Sequence, residues 1–190
     1  ATALHGQRRQ AARRLDQAMA RELAPLKMER AVFFTEIATG EPGPDGMDAV
    51  TFTVATNPGA PAGALNRIAS GGELSRFLLA LKVCLTASQT GLTLIFDEID
   101  RGVGGATADA VGRRLKALAD GAQVLVVTHS PQVAAFGARH WRVEKRVAKG
   151  ATLSTVTPLD AGERVEEIAR MLAGDTVTEA ARAAARALLG

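Results

Sequence analysis

A single cysteine, Cys84, in 190 residues leaves no internal disulfide and no cysteine-cluster metal site to organise the chain, and makes a cytoplasmic setting the default. No apolar run approaches the ~20 residues that cross a bilayer, and no charged-then-apolar leader opens the chain. Aromatic residues make up only 4%, and no basic stretch interleaves with them as in a groove for single-stranded nucleic acid. Nowhere does Gly-x-x-x-x-Gly-Lys-Ser/Thr occur, so these residues lack the loop that cradles phosphates and supplies a lysine and a Mg²⁺ ligand. What is present is a globular composition, 47% apolar and 23% charged, with enough length to bury a sizeable core. A net charge of +3 permits nucleic-acid contact without arguing for it. The first residue is Ala1, in what reads as mid-helix, which points to a piece of something longer.

The stretch that organises the rest is Ser70-Gly71-Gly72-Glu73-Leu74-Ser75-Arg76. Ser70 precedes Glu73 by three residues, the spacing of a capping box, and Leu74, Leu78, Leu81 and Leu85 recur on one predicted helix face. Gly71 and Gly72 in the first turn cost helix stability, roughly 0.5–1 kcal/mol each relative to alanine, so something must approach that backbone closely. A helix N-terminus with bare amides is a ready anion site.

Upstream, residues 4–28 read as one helix with a thin, alanine-rich apolar stripe. It suits the end of a coiled coil and, equally, a surface helix packed on this same domain. His5 reads as solvated, and Arg8, Arg9, Arg13 and Arg14 as a basic cluster able to touch a phosphate backbone or simply to face water. Residues 30–37 and 49–55 are β-like, and the turn-dense Gly40 to Gly46 between them predicts an antiparallel pair. Residues 57–67 read as an exposed loop. Leu92 to Phe96 and Val124 to Val127 are apolar runs suited to strands buried on both faces, and a helix over 106–119 between them makes a parallel crossover unit. Trp141 to Lys145 and Leu153 to Val156 predict a second hairpin, with Trp141 in the core. Two helices close the chain, the first ending at Gly174.

Parallel strands deliver Asp97-Glu98 and His129 to one sheet edge, where ligands sit in open α/β sheets. Asp97 is placed to hold Mg²⁺, and Glu98 to orient or deprotonate an attacking water. His129 could hydrogen-bond a terminal phosphate; a lone histidine at a strand end also serves as a plain structural hydrogen-bonder. His140 is read as structural. Asp100-Arg101-Gly102-Val103-Gly104-Gly105 follows the acids at once, and its three glycines suggest a sharp bend beside another surface.

In this order the segments around Ser70, Asp97-Glu98 and His129 resemble the signature, Walker B and switch-histidine segments of ABC-type ATPase heads, and Asp100, Gly102, Gly104 and Gly105 resemble their D-loop. The missing phosphate loop matches the SMC-like branch, in which a coiled coil separates two lobes. Asn57-Pro58-Gly59, the Ser70 motif, Phe96 to Asp100 with Gly102 to Gly105, and Glu167-Ile168-Ala169-Arg170-Met171-Leu172-Ala173-Gly174 resemble the RecN family of bacterial DNA repair proteins.

That resemblance implies an α/β C-terminal lobe of an ABC-type head over residues 29–190. It has a largely parallel sheet flanked by helices, antiparallel hairpins, and the end of a coiled-coil arm over 1–28. It further implies ATP and Mg²⁺ as cofactors, with the signature (Ser70, Gly71, Gly72, Glu73) contacting in trans the triphosphate bound by a second, identical head. The implied partners are the lobe carrying the phosphate loop and double-stranded or end DNA, with no membrane, in a cytoplasmic, nucleoid-associated setting. Without the phosphate loop the 190 residues are expected not to hydrolyse ATP alone. Two rival readings stay open, the nucleotide-binding half of a transporter and a dimerisation or DNA-clamp module that does not hydrolyse. Glu98 argues against the latter.

Overall fold

The computed structural model describes residues 1–190 except 58, 60, 68–70, 87–90, 149, 150 and 175, and the side chains of residues 148 and 151. Ser70 of the predicted capping box therefore lies outside the described residues, as does Pro58 of the Asn57-Pro58-Gly59 motif.

Helix α1 (Thr2–Leu23) runs into a one-turn 3-10 helix (Ala24–Leu26), and the chain then reverses at Lys27 in the left-handed region (φ 61°). The stripe of α1 is thin, yet Met19 and Leu23 are fully buried in the main core, so its C-terminal half packs with the strands Val32–Gly43, Gly46–Ala55 and Thr93–Asp97 and the helices Gly71–Thr86 and Gly105–Leu118. Along its length α1 lies against the hairpin of β1 (Val32–Gly43) and β2 (Gly46–Ala55). Asp16 accepts from the Thr35 amide (2.9 Å) and hydroxyl (2.8 Å). His5 corrects the reading of a solvated residue: its Nδ1 lies 2.5 Å from Asp48 Oδ1. Arg8 joins it, bonding Asp48 Oδ2 at 3.2 Å and donating to the Asp45 carbonyl at 2.8 Å. Arg8 therefore leaves the proposed basic face, while Arg9, Arg13 and Arg14 remain exposed.

The hairpin is longer than its apolar residues suggest. β1 runs to Gly43 with an irregularity between Thr39 and Gly43, and the reversal is confined to Pro44-Asp45. Within 57–67, a short strand β3 (Gly63–Ala64) pairs with β2 and a 3-10 turn (Leu65–Arg67) follows, so this stretch is more than a loop.

Helix α2 (Gly71–Thr86) buries Gly72, Phe77, Leu79, Ala80 and Val83. The predicted leucine stripe is not the inner face, for Leu78 and Leu85 are exposed. The helix is apolar almost all round, so spacing does not choose a face; contact with α1 does.

Strands β4 (Thr93–Asp97) and β5 (Gln123–Val127) pair in parallel, linked by α3 (Gly105–Leu118), as a crossover requires. The expectation of burial on both faces fails. β4 alternates, with Leu94 and Phe96 inside while Ile95 is 66% exposed and Val127 at the end of β5 is 55% exposed. Only two strands form this sheet among the described residues, and only one face is covered.

Past the short helix α4 (Pro131–Ala135), β6 (Trp141–Ala148) and β7 (Ala151–Pro158) form the second hairpin. Trp141 is 50% exposed rather than in the core, on a hairpin face shared with Val143 and Val156, which no described element covers. Helices α5 (Ala161–Ala173) and α6 (Glu179–Leu189) pack together around Ile168, Ala169 and Ala185. Asp160 and Glu163 form a capping box on α5, and Gly174 ends it at φ 77°. Arg164 fastens α5 to α4, its Nη2 reaching the carbonyls of Ala135 (2.7 Å) and Gly137 (2.6 Å).

Candidate functional site

The parallel register places Asp97 opposite Val127, so the two strands end level and the residues after them meet. The Glu98 amide donates to the Val127 carbonyl (2.9 Å), one last rung of the ladder, and its own carbonyl accepts from Arg101 (2.9 Å) to close a turn. Glu98 sits there at φ 49°, a left-handed conformation that costs a non-glycine residue of order 1–3 kcal/mol and is found where a chain is held for function. Asp97, Glu98 and His129 are all exposed on this rim. Among the described residues Glu98 has only Arg101 nearby (3.9 Å), and neither Asp97 nor His129 has a side-chain partner. A carboxylate and an imidazole left free at a strand end have been spent on no structural bond.

Asp100 behaves differently. It is 1% exposed, and its Oδ2 accepts from the Thr128 hydroxyl. Thr128 Oγ1 in turn accepts from the Ser130 amide at 2.8 Å, and Ser130 caps α4, where Pro131 opens the first turn. The first D-loop residue thus fixes the segment carrying His129 to the turn carrying Glu98, while Asp100 Oδ1 is buried with no partner among the described residues. Sequence reasoning passed over Thr128 and Ser130, although Ser-Pro before a helix is a readable cap signal.

Gly72 meets this turn from the other side. A Cβ on it would stand 3.0 Å from the Gly102 carbonyl oxygen and 3.2 Å from Val103 Cγ1. The close approach expected at the paired glycines is, for Gly72, its own chain's D-loop, which bends at Gly102 (φ 75°). Among the described residues nothing lies within 4 Å of a Cβ added at Gly71, Gly104 or Gly105. Of the paired glycines, only Gly72 is closed in by its own chain among the described residues. Glu73, half-buried, lines a shallow cleft with Lys27, Glu29, Arg30, Asn57 and Arg76.

Among the described residues no group of three or more His, Cys, Asp or Glu could by itself hold a metal ion. Asp97 offers a single exposed carboxylate, and Mg²⁺ sites can use one or two, with phosphate oxygens and water filling the shell. His140 is off the rim: burial, aided by Arg164, pushes its imidazole below the usual histidine range, in keeping with a structural role. No helix among the described residues is long and apolar enough to cross a membrane.

No protein-family model matches the chain. Solved structures with a similar fold include heads of SMC proteins. One is the Smc head domain with a coiled coil and joint from Pyrococcus yayanosii, with a TM-score of 0.66 at 18% identity over 85% of this chain and 29% of that one. Another is an SMC ATPase chain described for ATP-driven dimerization and DNA-stimulated activation, with a TM-score of 0.64 at 16% identity over 88% of this chain and 96% of that one. The fold is thus that of an SMC-type head.

Sequence narrows this further. The chain is 49% identical to the DNA repair protein RecN of Rickettsia conorii over 178 residues, 94% of this chain. It is 45% identical to RecN of Xylella fastidiosa strain 9a5c and 42% to RecN of Vibrio cholerae. Over nearly its whole length the chain belongs with the RecN proteins, and it spans about a third of the length of these relatives (33–35%).

Proposed function

We propose that these residues are the signature- and acid-bearing lobe of an SMC-like ATPase head that binds and hydrolyses ATP between two heads, in the repair of DNA double-strand breaks within the nucleoid. The observation that carries this reading is the level ending of β4 and β5, which sets Asp97, Glu98 and His129 on one open rim. In this role Asp97 holds Mg²⁺, which when bound neutralises charge on the phosphates. Glu98 orients the attacking water and takes its proton, and His129 donates a hydrogen bond to the terminal phosphate. Gly71, with Ser70 and Glu73, meets the nucleotide of the second head with its helix-end amides. Asp100 and Gly102 hold the D-loop between signature and rim, and Gly104 and Gly105 open α3.

The lobe with the phosphate loop is then expected to lie on the uncovered side of β4–β5, where Ile95 and Val127 face solvent. The coiled-coil arm is expected to continue from the N-terminal end of α1. The 190 residues alone are expected to be inactive. These assignments are tested by ATP turnover of the intact protein with Glu98→Gln: loss of hydrolysis with retained nucleotide-dependent dimers supports them, and unchanged turnover removes Glu98 from its role.

A further inference from the structure

Arg76 ties α2 to the 3-10 turn that follows α1 through backbone carbonyls. Its Nε donates to the Gly72 carbonyl at 3.1 Å, and its Nη1 reaches the carbonyls of Leu26 (3.1 Å) and Lys27 (3.3 Å), fifty and forty-nine residues away in sequence. Lys27 occupies the left-handed region at the chain reversal, and in that conformation both carbonyls meet one guanidinium nitrogen. The Gly72 peptide is consequently held from two directions, its carbonyl by Arg76 and its Cα against Gly102 and Val103. Around Gly71, one residue further toward the tip, an added Cβ would meet nothing within 4 Å among the described residues.

We propose that Arg76 is a positioning residue for the signature tip. By fastening Gly72 to the turn after α1 it fixes where Gly71 stands, and with it the pairing of two heads across nucleotide, while leaving the binding of nucleotide by a single head untouched. The inference rests on the head-pairing reading above. A guanidinium suits this work because its fork of donors serves three acceptors on two elements at once; an ammonium is a single point charge and holds fewer of them.

The test uses the intact protein carrying Glu98→Gln, so that ATP is bound and not consumed. Dimer dissociation constants with Mg-ATP are measured by sedimentation for the Glu98→Gln parent and for added Arg76→Gln and Arg76→Lys. Affinity of the monomer for a fluorescent ATP analogue is measured at protein concentrations below dimerisation. Arg76→Gln is expected to weaken the dimer at least about tenfold while monomer affinity stays within about twofold, with Arg76→Lys in between. A dimer constant unchanged in both variants overturns the inference. So does a parallel loss of monomer affinity, which is what a general loss of folding would give. If Arg76→Gln does not fold, Arg76→Lys decides by the same two constants. A Glu98→Gln parent that forms no nucleotide-dependent dimer defeats the head-pairing reading and this inference together, whereas a dimerising parent with unaffected Arg76 variants defeats the inference alone.

Discussion

The β1–β2 hairpin, with β3 beside it, and the two-stranded β4–β5 pair both expose apolar residues, Val32 and Phe34 on one and Ile95 and Val127 on the other, yet only the hairpin is tied to α1 by side-chain hydrogen bonds. The hairpin is held by α1 through Asp16, His5 and Arg8, and it contributes Phe33 and Val54 to the main core. The β4–β5 pair buries Leu94 and Phe96 and leaves Ile95 and Val127 in solvent. A strand that alternates apolar-in and apolar-out is built for two neighbours, and these residues supply one. The contrast separates the closed, polar-tied side of the unit from its open side. The core and its polar ties lie on the α1 side. The exposed acids, the free imidazole and the bare apolar face lie at the β4–β5 side.

The largest expected effect lies at the rim: Glu98→Gln in the intact protein lowers ATP turnover by about 10²–10⁴-fold, the range for removing a general base. Steady-state hydrolysis measures it, with nucleotide-dependent dimer formation as the control. Next in size is the closed core. Phe77→Ala, at a fully buried ring, is expected to cost about 3–5 kcal/mol in denaturant unfolding, and a loss under 1 kcal/mol would mean that the α1–α2 core is not the stabilising centre.

The open face sharpens the comparison. Ile95→Ala in the 190-residue chain should shift stability by no more than about 0.5 kcal/mol, as at an ordinary surface position, and by more than 1 kcal/mol in the intact protein if a second lobe covers it. Equal small shifts in both would leave that face uncovered. The smallest effect is the pH dependence of the hairpin tie. The Asp48 carboxyl is held below the usual carboxylate range, chiefly by its hydrogen bond to His5 and further by Arg8, against an opposing push from burial. A depressed carboxyl pKa contributes stability that is present above the unfolded value, near pH 4, and is lost as the pH falls through the folded value. Amide exchange in β1–β2 should therefore quicken below pH 4 relative to Asp48→Asn, which abolishes that slope.

The rim was legible because its parts are local signals joined by a chirality rule: an apolar run ending in Asp97-Glu98, another ending in Thr128-His129, and a helix between them leave little choice but parallel strands with a common edge. The hairpins and the Gly174 stop were legible from turn and cap chemistry. Trp141, Ile95 and Leu85 were misread because side-chain type says what prefers burial, not whether these residues supply the cover. His5 looked like a surface residue, and Arg76 carried no reading of its own, since their partners, Asp48 and the Leu26 carbonyl, lie 43 and 50 residues away in sequence.

By itself the sequence determined the order of the elements, the direction of the paired strands and the chemical identity of the rim, because each follows from periodicity, caps and connection length within a short window. Only the tertiary structure decided which face of α2 turns inward, that Gly72 spends its missing Cβ on its own D-loop while Gly71 keeps its surroundings open, and that Asp100 is a buried tie rather than an exposed acid. These depend on which surfaces meet across tens of residues, and that is fixed by competition among all possible contacts rather than by any local preference.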